Sequence, residues 1–488
     1  MINEKILDER LTALEAAKSW SPRVVSRLET LLRSGSDEAL FRVNPIRFAG
    51  ERGIAEAEAV DLFLHAALVG LFEMDWLLYC QMCSDVVANF RSLRGLESQY
   101  HCHLCQSDYE AALDDYIAVT FTVAPAVRRI RLHNPETLSV RDYAFVYKGT
   151  PEGVTDEGVP FVEVIGSRIR VLSRIAPGEA EELELDAVEG MLHGFDMESD
   201  ASFHFLVSGE RTTAPQRAPI TIGPGVCSPN AGDLAAGKVV FEVRNTTDRF
   251  AIFGVLQFPP GAAHHRLLKF RPFLSGNRLL MTQTFRDNFR SEVIRAAEGI
   301  AVRDVALLFT DLKGSTALYQ RIGDLNAYIK VQRHFERLLD VTVRHHGAVN
   351  KTIGDAVMAA FPTPADAVRA ALEMREAVED LNRDRPQRDF ILKIGVHRGA
   401  AIAVTLNDRL DYFGQTVNIA ARVQNLAGGD EVCITEDVYQ APGVEETFAP
   451  FDIRRVDAEL KGLDQKTPVY FVGGRPSGGV SEPRLRSA

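Results

Sequence analysis

Two aspartates, Asp311 and Asp355, stand 44 residues apart: Asp311 closes the apolar stretch begun at Val305, and Asp355 follows the alternating run VNKTIG in a Gly-Asp turn. A hard divalent cation such as Mg²⁺ takes one or two carboxylates plus substrate phosphates, so two aspartates on neighbouring strand ends suit one. A second set consists of Cys80 and Cys83 in CQMC and Cys102 and Cys105 in CHLC, with 18 residues between the pairs. Two CxxC knuckles at this separation offer four thiolates to tetrahedral Zn²⁺ and leave no position open for catalysis. A redox CxxC stands alone beside a βαβ pattern, which this stretch lacks. The reading is therefore a structural zinc staple, with His101 and His103 as solvated loop histidines.

The elements that must position these groups are legible from periodicity. Residues 304–473 run strand, two helices, strand, strand, helix, strand, a ferredoxin-like βαββαβ order in which Ala348–Phe361 forms a hairpin around Gly354-Asp355. Residues 1–76 read as a small helical domain open to a winged-helix-like arrangement, from stripes such as Val24, Leu28, Leu31 and Leu32. Residues 77–113 form the zinc-ribbon-like segment. Residues 114–278 alternate with period two and read as a β-rich, sandwich-like regulatory domain, with strands at Tyr116–Val123, Val140–Tyr147, Arg168–Ile175 and Phe203–Val207. Lys238–Phe258 reads as a β-hairpin turning at NTTD. Residues 279–303 form an amphipathic connector helix with Phe285, Phe289, Val293 and Ala297 on one stripe, and 474–488 a disordered tail. The fold class is multidomain α+β.

Composition limits the function classes. The chain has 488 residues, 46% hydrophobic and 25% charged, as in ordinary globular proteins, and is long enough for about three domains. Its longest apolar run, Leu62–Phe72, contains His65 and is too short to span a bilayer. The charged N-terminal stretch lacks a signal-peptide pattern, so a cytoplasmic location without membrane association is expected. A net charge of −12, with two Arg against six Asp and Glu between Arg47 and Asp75, argues against a nucleic-acid partner.

Residues 304–473 carry FTDLKGST, NKTIGDAVMAAF, LKIGVHRG, LDYFGQTVNIAARV and ELKGLDQKTPVYFV in that order. This region resembles the class III nucleotidyl cyclase catalytic domain, and the residues before it are similar to regions fused to bacterial cyclases. The resemblance implies that Asp311 and Asp355, with the Leu312 carbonyl, hold two Mg²⁺ or Mn²⁺ ions. It further implies that Lys351 and Asp411 read adenine, Asn418 orients the ribose, Arg422 steadies the transition state and Lys461 contacts the triphosphate. His397 is read as structural. The implied activity is an adenylate cyclase turning ATP into 3′,5′-cyclic AMP and pyrophosphate at a homodimer interface, governed by an unknown ligand or protein at the N-terminal region. A guanylate or relaxed-specificity cyclase and a non-catalytic ATP-binding sensor are the alternatives.

Overall fold

A computed structural model describes residues 2–97, 99–102, 104–114, 116–199, 201–261, 267–290, 292, 294, 299–383, 388–406, 409–461 and 465–473. The expected tail, His103, Val293 and Ala297 lie outside the described residues. The chain divides into two compact units: Met1–Ala111 with Asp115–Ser275, and Ala112–Asp114 with Gly276–Ala488. No helix among the described residues is long and apolar enough to cross a membrane.

The first unit begins with four helices, α1 (Glu4–Ala17), α2 (Val24–Ser34), α3 (Pro45–Arg52) and α4 (Glu56–Leu68). Asn44 caps α3, its Oδ1 accepting from the Ile46 amide at 3.0 Å with Pro45 in the first turn. Strand β1 (Phe72–Tyr79) runs across residue 76, the expected end of the helical segment, and is flanked by β2 (Val86–Phe90) and β5 (Ile117–Val123). The knuckle between them holds a small hairpin, β3 (Gln99–Cys102) with β4 (Ser107–Glu110).

Val140–Tyr147, expected as a strand, is instead a helical turn, Val140–Asp142, continuing as a π-helix through Tyr143–Tyr147. Ser139 caps it by accepting from the Asp142 amide at 3.0 Å, and Tyr143 and Tyr147, four apart, stack at 5.4 Å. Helix α5 (Phe161–Arg168) follows.

Two sheets then pack face to face. One has the order β12 (Ala231–Leu234), β9 (Ser202–Val207), β8 (Gly190–Asp196), β14 (Ala251–Phe258), β6 (Ile169–Ile175). The other has the order β11 (Val226–Ser228), β10 (Gln216–Gly223), β13 (Gly237–Asn245), β7 (Ala180–Ala187). Phe203, Phe241 and Phe253 share the core between them. The expected Lys238–Phe258 hairpin does not form: β13 pairs β10 and β7, whereas β14 pairs β6 and β8. The turn crosses from sheet to sheet because β14 is buried along its whole length. Its Ala251, Phe253 and Val255 enter the inter-sheet core, while Ile252, Leu256 and Phe258 join a second core with the cysteines.

In the second unit the expected connector helix over 279–303 does not form as one element: α6 (Gly276–Leu280) and α7 (Gln283–Asn288) are separated by an extended Thr282, no described residue from 289 to 299 is helical, and 300–303 already belong to a strand. The Arg286 side chain accounts for the break, because its Nε takes the Leu280 carbonyl at 2.6 Å. An eight-stranded sheet follows. Its path runs β16 (Ala348–Ile353), β17 (Ala356–Phe361), β15 (Ile300–Leu312), β18 (Leu392–Leu406), β20 (Glu431–Thr435), β22 (Thr467–Val472), β21 (Ile453–Ala458), with β19 (Arg409–Phe413) paired to β18. Helices α8 (Ser315–Ile322), α9 (Asp324–Arg344) and α10 (Pro364–Asn382) contribute to one core with Ala306, Leu308 and Leu312 of β15. Thr363 starts α10, its hydroxyl accepting from the Asp366 amide at 3.1 Å ahead of Pro364. Helix α11 (Gln415–Leu426) packs its Thr416, Ala420 and Val423 side inward. Ala112–Asp114 belongs to this unit: Ala112 bridges Ala301, and the Asp114 carboxylate accepts from the Arg303 amide and from Asn277 Nδ2.

Candidate active site

Asp311 leaves the sheet on the side opposite Ala306 and Leu308, because facing alternates along a strand. The β15–β17 register pairs Thr310 with Val357, so one further step sets Asp311 against Ala356, the residue beside Asp355. Gly354, at φ +66°, supplies the left-handed backbone that lets Ile353 and Ala356 close a two-residue loop, and so fixes Asp355 at the tip. Desolvation first, and then the Asp355 charge, push the Asp311 carboxyl above the usual carboxylate range, against the pull of Lys393. The Oδ2 of Asp355 is buried with no hydrogen-bond partner among the described residues. Two like charges brought together and one orphaned carboxylate oxygen fit a divalent cation, with the Leu312 carbonyl as a further candidate donor.

Lys351 and Asp411 meet through a different device. A β-bulge between Val349 and Lys351 leaves Asn350 unpaired in the ladder and re-aims the next side chain. The Lys351 ammonium lies 2.5 Å from Asp411 Oδ2. Asp411 is buried, and its Oδ1 accepts from the Tyr412 amide at 2.9 Å. Helix α7 fastens both strands beside this pair: Gln283 Oε1 accepts from the Val349 amide at 2.9 Å, and Arg286 Nη1 donates to the Leu410 carbonyl at 2.9 Å. The sequence reading missed Gln283 and Arg286, whose partners are backbone atoms more than 60 residues away and leave no local pattern.

Asn418 and Arg422 lie one turn apart on α11, away from its buried side, and neither makes a hydrogen bond or ion pair among the described residues. Lys461 is exposed at the turn after β21. The charges acting on Asp311 are Asp355 and Lys393. Within one chain, then, the acids stand together and Lys351 stands with Asp411, while Asn418, Arg422 and Lys461 join neither pair. His397 is buried at the sheet and its Nδ1 lies 2.9 Å from Thr435 Oγ1.

The four knuckle cysteines converge in the first unit. Their Sγ atoms all lie within 4.8 Å of one another, with Cys80–Cys105 at 3.4 Å and Cys83–Cys102 at 3.5 Å. With metal–sulfur bonds of about 2.3 Å a tetrahedral site has sulfurs about 3.8 Å apart, which these separations bracket. Each knuckle turns the same way, with Ser84 (φ +61°) and Gln106 (φ +51°) in the left-handed region just after the second cysteine. Burial pushes the Cys83 thiol up, while hydrogen bonding from Cys102 pulls Cys105 down. The cluster can hold a metal ion.

Comparison with known proteins adds two family matches. Residues 7–287 match a family of unknown function, DUF5939, and residues 300–474 match the adenylate and guanylate cyclase catalytic domain. The chain is 31% identical over 195 residues to adenylate cyclase 2 of Rhizobium meliloti, covering 36% of this chain and 52% of that protein. It is 30% identical over 192 residues to putative adenylate cyclase 3 of the same organism, covering 38% of this chain and 31% of that one. The chain thus spans between about a third and a half of the length of these curated relatives. The adenylyl cyclase CyaB from P. aeruginosa aligns at 18% identity and TM-score 0.32, covering 37% of this chain and 100% of that structure.

Proposed function

The chain belongs to the DUF5939 family, and from that premise, joined to the cyclase catalytic match downstream of it, we propose that it is an adenylate cyclase whose N-terminal unit regulates a two-metal site shared by two copies of the chain. The observation that carries this reading is the approach of Asp311 and Asp355 on adjoining strands of the catalytic sheet. Mg²⁺ or Mn²⁺ bound there would acidify the ribose 3′-hydroxyl and neutralise the triphosphate.

The remaining roles belong to side chains. The 3′-hydroxyl gives its proton to water, and its oxygen bonds to the α-phosphorus as the bond from that phosphorus to the bridging oxygen breaks, releasing pyrophosphate and leaving 3′,5′-cyclic AMP. Lys351 donates to the adenine ring nitrogen and Asp411 accepts from its amino group; guanine presents the reverse pattern at its carbonyl and ring N–H. Asn418 and Arg422, one helical turn apart, address the same ligand, Asn418 holding the ribose and Arg422 meeting the charge on the α-phosphoryl oxygens. Lys461 takes the triphosphate.

Sharing of the site is supported by the separation of these residues within one chain and by a paired arm, β18–β19, that exposes Ile402, Leu406 and Phe413, the last by 64%. A C2 dimer would bring the acids of one copy to the base-reading residues of the other. The test is product formation from ATP and from GTP with Mn²⁺ by the full-length protein. Cyclic AMP as the dominant product is expected, and equal rates on both nucleotides would overturn the assignment of Lys351 and Asp411.

A further inference from the structure

The first unit contains a cavity of about 450 Å³, bounded by the cysteine knuckles, helix α5 and the outer face of the β8–β14 sheet. That volume lies in the range of small-molecule sites, about 300–1,000 Å³. Its walls are mostly apolar: Ile165, Leu256 and Phe258 are buried members of the cysteine-containing core, and Met191 packs against it.

Two polar groups around it are left unmatched among the described residues, the buried Thr155 hydroxyl and the Arg168 guanidinium. His193 Nε2 donates to the Leu104 carbonyl at 2.8 Å, which leaves its Nδ1 to accept from His204 Nε2 at 2.9 Å. Lys269 is paired with Asp156 at 2.9 Å, and Glu157 is also engaged. Arg168 alone of the lining cations has neither a carboxylate nor a hydrogen-bond partner among the described residues; its guanidinium lies 5.2 Å over the Phe258 ring. A stacked guanidinium keeps its planar fork of donors free for a carboxylate. We propose that this cavity is a binding site for a small apolar organic anion, its carbon body against Ile165, Met191, Leu256 and Phe258 and its carboxylate on Arg168.

The test is isothermal titration of the full-length protein with decanoate and with 2-naphthoate, a chain-shaped and a ring-shaped carboxylate, beside 1-decanol and decylammonium. At least one carboxylate should bind once per chain, about tenfold or more tighter than the alcohol or the ammonium ion, as a charge-assisted contact gives. Arg168→Gln should lose that preference, Arg168→Lys should keep part of it, and Met191→Trp should block binding by filling the space. Absence of binding by both carboxylates at millimolar concentration, equal binding of all head groups, or unchanged binding by Arg168→Gln overturns the proposal. The Arg168 variants decide it if Met191→Trp does not fold. The unit that holds the cavity carries none of the residues proposed for cyclisation and the readout is heat, so the result does not depend on turnover of ATP.

Discussion

Lys351 and Asp411 lie 60 residues apart in sequence and 2.5 Å apart in space, on strands β16 and β19 that do not pair with each other. Their contact leaves a donor and an acceptor side by side, with the strands on either side tied down by Gln283 and Arg286.

Replacing Lys351 with Ala removes the donor and leaves the buried Asp411 carboxylate without its cation. ATP turnover, read as kcat/KM, is expected to fall about 10- to 100-fold, and stability by about 1–3 kcal/mol, the cost of an orphaned buried acceptor. Lys351→Glu should also raise the ratio of GTP to ATP turnover.

The repulsion between Asp311 and Asp355 predicts a split between stability and activity. Without metal, Asp355→Asn should melt no lower than wild type, since one of two opposed charges is gone. Mn²⁺ should raise the wild-type Tm and leave that of the Asp311→Asn/Asp355→Asn double variant unchanged, while cyclic AMP formation falls by a factor on the order of a thousand.

Mixed dimers test the shared site. Asp355→Ala and Arg422→Ala chains, each inactive alone, should recover about a quarter of wild-type activity when combined, because half the dimers are mixed and each mixed dimer rebuilds one of its two sites. No recovery, with dimers present by light scattering, would count against the arrangement.

Stability should depend on two buried histidines. Burial lowers the pKa of both His334 and His397 to about 4, from about 6.5 when unfolded. The unfolded chain therefore binds more protons between these values, so stability is fully present above about pH 6.5 and is lost as the pH falls toward 4, by up to about 3 kcal/mol per histidine. His334 stacks on Phe390 at 5.4 Å with neither ring nitrogen hydrogen-bonded among the described residues. His334→Phe should accordingly flatten the pH dependence of denaturant unfolding and raise the midpoint.

The cysteine cluster predicts one metal ion per chain by elemental mass spectrometry. Strong chelation or Cys83→Ser should cost several kcal/mol and raise hydrogen exchange across residues 77–110.

Strong local patterns carried the sequence reading furthest. The apolar run ending at Asp311, the Gly354-Asp355 turn and the two CxxC pairs each declare themselves within a few residues. Reading failed where tertiary pairing overrides local pattern. Val140–Tyr147 satisfies strand alternation and helical spacing equally well, and the Ser139 cap with the Tyr143–Tyr147 stack selects the helical form. The β13–β14 connection resembles a hairpin until burial of β14 on both faces sends it to the other sheet. The connector stripe, with Phe285 and Phe289 still stacked at 5.3 Å, did not reveal that Arg286 would bend back to the Leu280 carbonyl.

Ala112–Asp114 makes the chain's two units topologically inseparable by a single cut. The backbone passes between them after Ala111, after Asp114 and again after Ser275. A fragment beginning at residue 300 would lose the Leu113 amide that meets the Ala301 carbonyl at 3.0 Å and the Asp114 carboxylate that takes the Arg303 amide, baring a sheet edge to self-association. After proteolytic nicking near residue 275, Ala112–Asp114 would still hold the edge of the eight-stranded sheet through Leu113 and Asp114.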